Sequence, residues 1–208
     1  MLNAEYGDAD EAMTSVQRAL ACFDADDAHA RGRAHRVLAD VHLMREEIAE
    51  ALVAGDAAIS ELAGEDDPVL LADVRREQAN RLVVARRAEE GLSLFALARQ
   101  AYDAHGLAVA AAGADLGRAD ALAALGRTGE AVAAAEEAAA VGVREDVPAL
   151  LADALWTAAS HSAPDPERYD RALAAYARAG APEEQLDELR AARDAALKGG
   201  RRRFRFGR

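Results

Sequence analysis

LGRTGEAVAAAEEAAAVG, residues 125–142, places alanine at nearly every position where a helix would carry a bulky core side chain. Alanine is the strongest helix former, so the segment coils. A face of alanines releases little hydrophobic free energy on burial. What it permits is close approach by a neighbouring helix. The composition extends this reading to the whole chain of 208 residues: 51% is hydrophobic, chiefly Ala and Leu, and only 4% is aromatic. Few β-branched runs occur, which argues against a sheet core. The expected class is all-α.

A period appears when small residues are aligned. Ala12, Ala51, Gly91, Ala131 and Ala172 follow one another at spacings of 39, 40, 40 and 41. Seven residues beyond each stands Ala19, Ala58, Ala98, Ala138 or Ala179. Twelve residues before three of the anchors stand Ala39, Ala79 and Ala119, each inside another helical stretch. The fourth pair departs, with Ala154 standing 18 before Ala172, so SHSAPDPERYD reads as an enlarged loop. A repeated helix pair results, because such a unit buries its apolar face only by stacking on its neighbours.

Punctuation fits that register. Each second helix runs toward a glycine, at Gly64, Gly106, Gly142 or Gly180, where a left-handed residue would close it. New helices are expected at Asp66-Asp67-Pro68 and Ala181-Pro182-Glu183-Glu184, where proline fits the first turn and acids favour the positive end of the helix dipole. Gly199-Gly200 is expected to stop the last helix at about Leu197 or Lys198.

Small residues at fixed offsets in paired helices resemble the tetratricopeptide repeat, whose second helix carries A-x3-F. Here that element reads Ala12-x3-Val16, Ala51-x3-Gly55, Gly91-x3-Phe95, Ala131-x3-Ala135 and Ala172-x3-Tyr176. The period is longer than the usual 34, no Trp opens a unit and the closing Pro is absent from its place. Units of this length are similar to those in the helical arrays of large bacterial transcription regulators and signalling ATPases. The resemblance implies a right-handed α-solenoid of about ten helices: an array over residues 1–181, a capping helix over 182–198 and a basic flexible tail over 199–208. The first unit reads as incomplete, with a turn at Gly7 after one short stretch, so the chain is expected to be part of a longer protein and to be sticky at that end.

Charge divides the chain. The net charge is −12, yet Lys198, Arg201, Arg202, Arg203, Arg205 and Arg208 crowd the C-terminus, and without these six the remainder stands at −18. So acidic a body repels nucleic acid and anionic membrane. The tail KGGRRRFRFGR has three readings: a solvated disordered end, an arm for nucleic acid with Phe204 and Phe206 for stacking, or an arm that docks on the acidic body. No secretory signal opens the sequence and no apolar run is long enough for a bilayer span, so a soluble cytoplasmic protein is expected. Cys22 stands alone, which rules out an internal disulfide, and is expected to pack as a small apolar group.

Motifs for catalysis are missing: there is no phosphate loop, dinucleotide turn or nucleophile elbow. No catalytic residue, cofactor or metal site is therefore expected. His35 and His42 with Asp40 would form a two-histidine, one-carboxylate set, but seven residues is two helical turns, about 10 Å, where zinc helices use i and i+4.

If the resemblance holds, the first helix of each pair lines a concave groove. Its positions are Arg33, Arg36, Asp40 and Leu43, then Asp73, Arg76, Asn80 and Val83, then Gly113, Leu116, Asp120 and Ala123. The charged and amide members, Arg33, Arg36, Asp40, Asp73, Arg76, Asn80 and Asp120, are the candidate partner-binding residues. They suit a peptide with an acidic end and a small apolar end. A clamp for a C-terminal carboxylate pair is not expected, since only Arg36 matches a basic clamp position while Asp40, Glu77, Gly113 and Gly117 occupy the others. The expected function is a non-catalytic scaffold that holds a protein or peptide. The alternative is the sensor part of a nucleic-acid-associated transcription regulator.

Overall fold

In a computed structural model the backbone is described for residues 2–205 and the side chains for residues 9–198. Ten helices are described: α1 (Leu2–Cys22), α2 (Ala28–Met44), α3 (Ile48–Leu62), α4 (Pro68–Val84), α5 (Ala88–Ala104), α6 (Ala108–Ala124), α7 (Thr128–Arg144), α8 (Pro148–His161), α9 (Pro166–Arg178) and α10 (Glu183–Arg205). The chain is all-α among the described residues. It divides into two compact units, residues 1–101 and 102–208, with the division inside α5.

In the first unit α1 packs on α2, α2 on α3 and α3 on α4. Gly91 of α5 lies against α4, with its Cβ position 3.0 Å from the Ala79 carbonyl oxygen. In the second unit α6 packs on α7 and also on α8, α7 on α8, α8 on α9 and α9 on α10. Within each unit, connections of three to five residues turn each helix back on the last.

The turns repeat as the helices do. Glu46, Arg86 and Gly126 all have positive φ (60, 61 and 75°) and stand forty residues apart, and Gly106 and Asp146 (68 and 52°) are related in the same way. After each, a backbone N–H reaches back five residues: Glu47 to His42, Arg87 to Leu82, Leu107 to Tyr102, Arg127 to Leu122 and Val147 to Gly142, at 2.8–2.9 Å. This bond satisfies a carbonyl left open at the helix end. At the N-termini Asp27, Asp67 and Asp165 accept from the amides of Ala30, Leu70 and Glu167, with proline opening α4 and α9 as well as α8.

The small-residue register matches the packing except at Ala12 and Ala19, which are half-buried, and Ala179, which is exposed as the C-cap of α9. Ala51, Ala58, Ala98, Ala131, Ala138 and Ala172 are fully buried, as are Ala39, Ala79 and Ala119. In the second unit Ala112, Ala138 and Ala154 join Leu150 in one cluster shared by α6, α7 and α8. The alanine-rich α7 thus brings two other helices within reach of a single leucine.

Several expectations are corrected. First helices begin at 28, 68, 108 and 148, a strict step of forty, so the counterpart of Ala119 in α8 is the buried Ala159; Ala154 is buried too, one turn and a half earlier. The enlarged loop is only Ser162–Asp165, because Pro166 and the Asp165 cap start α9 early. Gly142 is interior to α7: its Cβ position is 2.7 Å from the Leu151 backbone nitrogen, so it serves close approach and the turn falls at Asp146. Gly64 follows α3 without a positive φ. α1 continues through Gly7, and α10 continues through Gly199-Gly200 to Arg205, because a glycine costs a helix interior only about 1 kcal/mol relative to alanine. Cys22 is exposed at the last position of α1. The readings of the tail arginines and phenylalanines concern side chains outside the described residues.

Candidate functional site

The predicted groove positions on α2 and α4 form one polar face of the first unit. Arg36 donates from Nε to Glu77 Oε2 at 2.8 Å and from Nη2 to Glu77 Oε1 at 2.6 Å, a two-pronged bond between helices of successive pairs. Burial works against the Arg36 charge, but those bonds and the nearby Asp73 and Asp40 carboxylates outweigh it, so its pKa is raised. Asp40 accepts from Arg81 Nη2 at 2.5 Å. Arg76 is half-buried and Asn80 exposed, one and two turns beyond Asp73 on α4.

Asp120 belongs to the second unit, where it accepts from His161 Nε2 at 2.7 Å. Asp40 and Asp120 stand eighty residues apart, as do Arg81 and His161, so the two units build the same contact between successive first helices.

Arg33 stands apart from this ladder. It is exposed and lines an apolar cavity of about 660 Å³ between α1 and α2, together with Ala12, Val16, Ala19, Phe23 and Ala30. The structure therefore brings Arg36, Asp40 and Asp73 together, leaves Arg76 and Asn80 beside them, and places Arg33 at a different surface. Glu77 neutralises Arg36, so this face offers the acidic end of a peptide less positive charge than the groove positions alone imply.

Sequence reasoning missed Glu77, Arg81 and His161 as partners. The signal was available: each lies 41 residues after its partner, one repeat plus one residue. Arg81 is 2% exposed, and its Nε and Nη1 have no hydrogen-bond partner. His42 hydrogen-bonds Glu47 Oε2 at 2.6 Å, and burial lowers the His35 pKa. No group of three His, Cys, Asp or Glu side chains among the described residues is placed to hold a metal ion. No described helix is long and apolar enough to cross a membrane.

Fold and site together define an all-α protein of repeated helix pairs with a polar face on its first helices. A solved structure shares that fold: the crystal structure of BtubC (BKLC) from P. vanneervenii has a TM-score of 0.63 to this chain, with 18% identity over 93% of this chain and 92% of that one. No family model and no curated protein sequence matches the chain.

Proposed function

We propose that the chain is a tetratricopeptide-like scaffold without catalytic chemistry, which holds a protein or peptide partner on the first-helix face of α2 and α4. The observation that carries this reading is the half-exposed carboxylate of Asp40, tied on one side to the buried Arg81 and open on the other. Such a group is fixed in place by the fold, so a partner donor meets an acceptor that has already lost its rotamer freedom. Asp73, Arg76 and Asn80 along α4 add a mixed set of donors and acceptors. The partner this face suits is an extended or helical segment with both charges, since neither sign dominates it.

The test is affinity capture with wild type and an Arg76→Glu, Asn80→Arg variant in parallel, followed by direct titration of whatever the variant loses. Both side chains sit outside the ion-pair ladder, so the fold should persist and binding should weaken at least tenfold. Equal capture by the two proteins would reject this face. A captured client that is nucleic acid, and that is lost when residues 199–208 are removed, would favour the regulator reading.

A further inference from the structure

In the first unit, Ala58 and Leu62 of α3 and Leu71 and Val74 of α4 form a buried cluster, and Gly32 of α2 lies against Leu62. One repeat earlier, the same positions are Ala19 and Phe23 of α1 and Arg31 and Ala34 of α2. Ala19, Phe23 and Ala34 line the 660 Å³ cavity, and Ala19 and Phe23 are only half-buried there, where Ala58 and Leu62 are fully buried. The cavity is therefore the place that a first helix fills one step later. Its floor is apolar, and its edge carries His29 and Arg33, one turn apart on α2 and without an ion pair among the described residues.

The chain has a further helix of the first kind in α10. One stripe of its surface, Glu184, Glu188, Ala191 and Ala195, is exposed throughout, at spacings that keep the four on one helix face. Glu184 and Glu188 make no ion pair among the described residues, whereas Glu183 and Asp187 are both held by Arg190. Within the first unit α2 and α4 run in the same direction, because the short connections between them each reverse the chain, and an α10 in a first-helix place beside α2 would take that direction. The N-terminal half of an α10 laid into the cavity would then meet the N-terminal half of α2: two carboxylates one turn apart face two basic groups one turn apart. The two alanines would follow onto the Ala12 and Ala19 face of α1, small against small.

We propose that α10 of a second copy of this chain occupies the α1–α2 cavity, so that copies associate head to tail through one repeated contact. Such a contact is heterologous: each copy offers a cavity and an α10, and the two do not coincide.

Sedimentation velocity over a concentration series tests this with a charge swap. Wild type should associate with rising concentration, and added salt should weaken it. Arg33→Glu and Glu188→Arg, each alone, should weaken association at least tenfold by placing like charges together, with helix content by circular dichroism unchanged. An equimolar mixture of the two variants should associate again, because every contact between unlike copies then joins opposite charges. Monomeric wild type at all concentrations, wild-type association by either single variant, or a mixture that stays as weak as its components would each overturn the proposal.

Discussion

The Gln78 side chain occupies the space where a side chain at Gly55 would stand, and its amide nitrogen donates to the Leu52 carbonyl at 2.9 Å and to Asp56 Oδ1 at 2.8 Å. Gly55→Ala must push this fully buried amide off both acceptors. Chemical denaturation should show a loss of roughly 1–3 kcal/mol, and the change should be largely silent in a Gln78→Ala background. Gly113, inside α6 with open space at its Cβ position, gives the opposite sign: Gly113→Ala should stabilise by about 0.5–1 kcal/mol.

Gly55 also shows what the sequence could and could not disclose. The small positions Ala51, Ala131 and Ala172 were legible because they recur, and recurrence marks a packing demand common to every unit. The occupant of each small position was not, since Gln78 reaches Gly55 from another helix and only this unit has that pair. The same limit hid Glu77 and Arg81: the 41-residue offset is written in the sequence, but nothing in a lone chain sets it above other offsets until first helices lie side by side. Turn positions fared better in period than in identity, because Glu46, Arg86 and Asp146 adopt the left-handed conformation in place of the glycine that the eye seeks.

The register itself predicts overpacking. Ala119 and Ala131 are fully buried at helix crossings. Ala119→Leu and Ala131→Leu should each cost about 1–3 kcal/mol by thermal or urea unfolding. Ala133→Leu, on the exposed side of α7, should leave stability within about 0.5 kcal/mol of wild type.

The left-handed turns predict a gain. Arg86 and Glu46 carry a Cβ at φ near +60°, which strains an L-residue, and both are exposed. Arg86→Gly should raise stability by up to about 1 kcal/mol, whereas Gly126→Ala at the equivalent turn should lower it by a similar amount. A thermal melt of the two variants beside wild type reads both signs.

His35 predicts a dependence on acid. Burial lowers its pKa from 6.5; Glu61 opposes this shift and Arg31 adds to it. The unfolded chain therefore binds the proton first as pH falls, and stability present above the unfolded value is lost on the way down to the lowered one. Urea midpoints between about pH 7.5 and pH 5.5 should fall less for His35→Gln than for wild type. An equal fall in both would show that His35 does not carry the effect.

The two ladder contacts predict unequal sensitivity to the same change. Asp40 neutralises a guanidinium that is 3% exposed, whereas Asp120 pairs with an imidazole that is 22% exposed. Arginine keeps its charge at any accessible pH, so Asp40→Asn leaves a buried cation with only Glu77, at 4.0 Å, to compensate. Removing one partner of a buried pair costs more than the pair contributes, because the other must stay desolvated and unpaired. Histidine has a neutral form, and its exposed side can turn to water, so Asp120→Asn should cost no more than about 1 kcal/mol. Asp40→Asn should cost at least twice as much, and adding Arg81→Met should recover most of the loss, since an apolar side chain of similar length suits that site. Equal losses at Asp40 and Asp120, or no recovery in the double variant, would show that the Arg81 charge is solvated in a way its burial does not suggest.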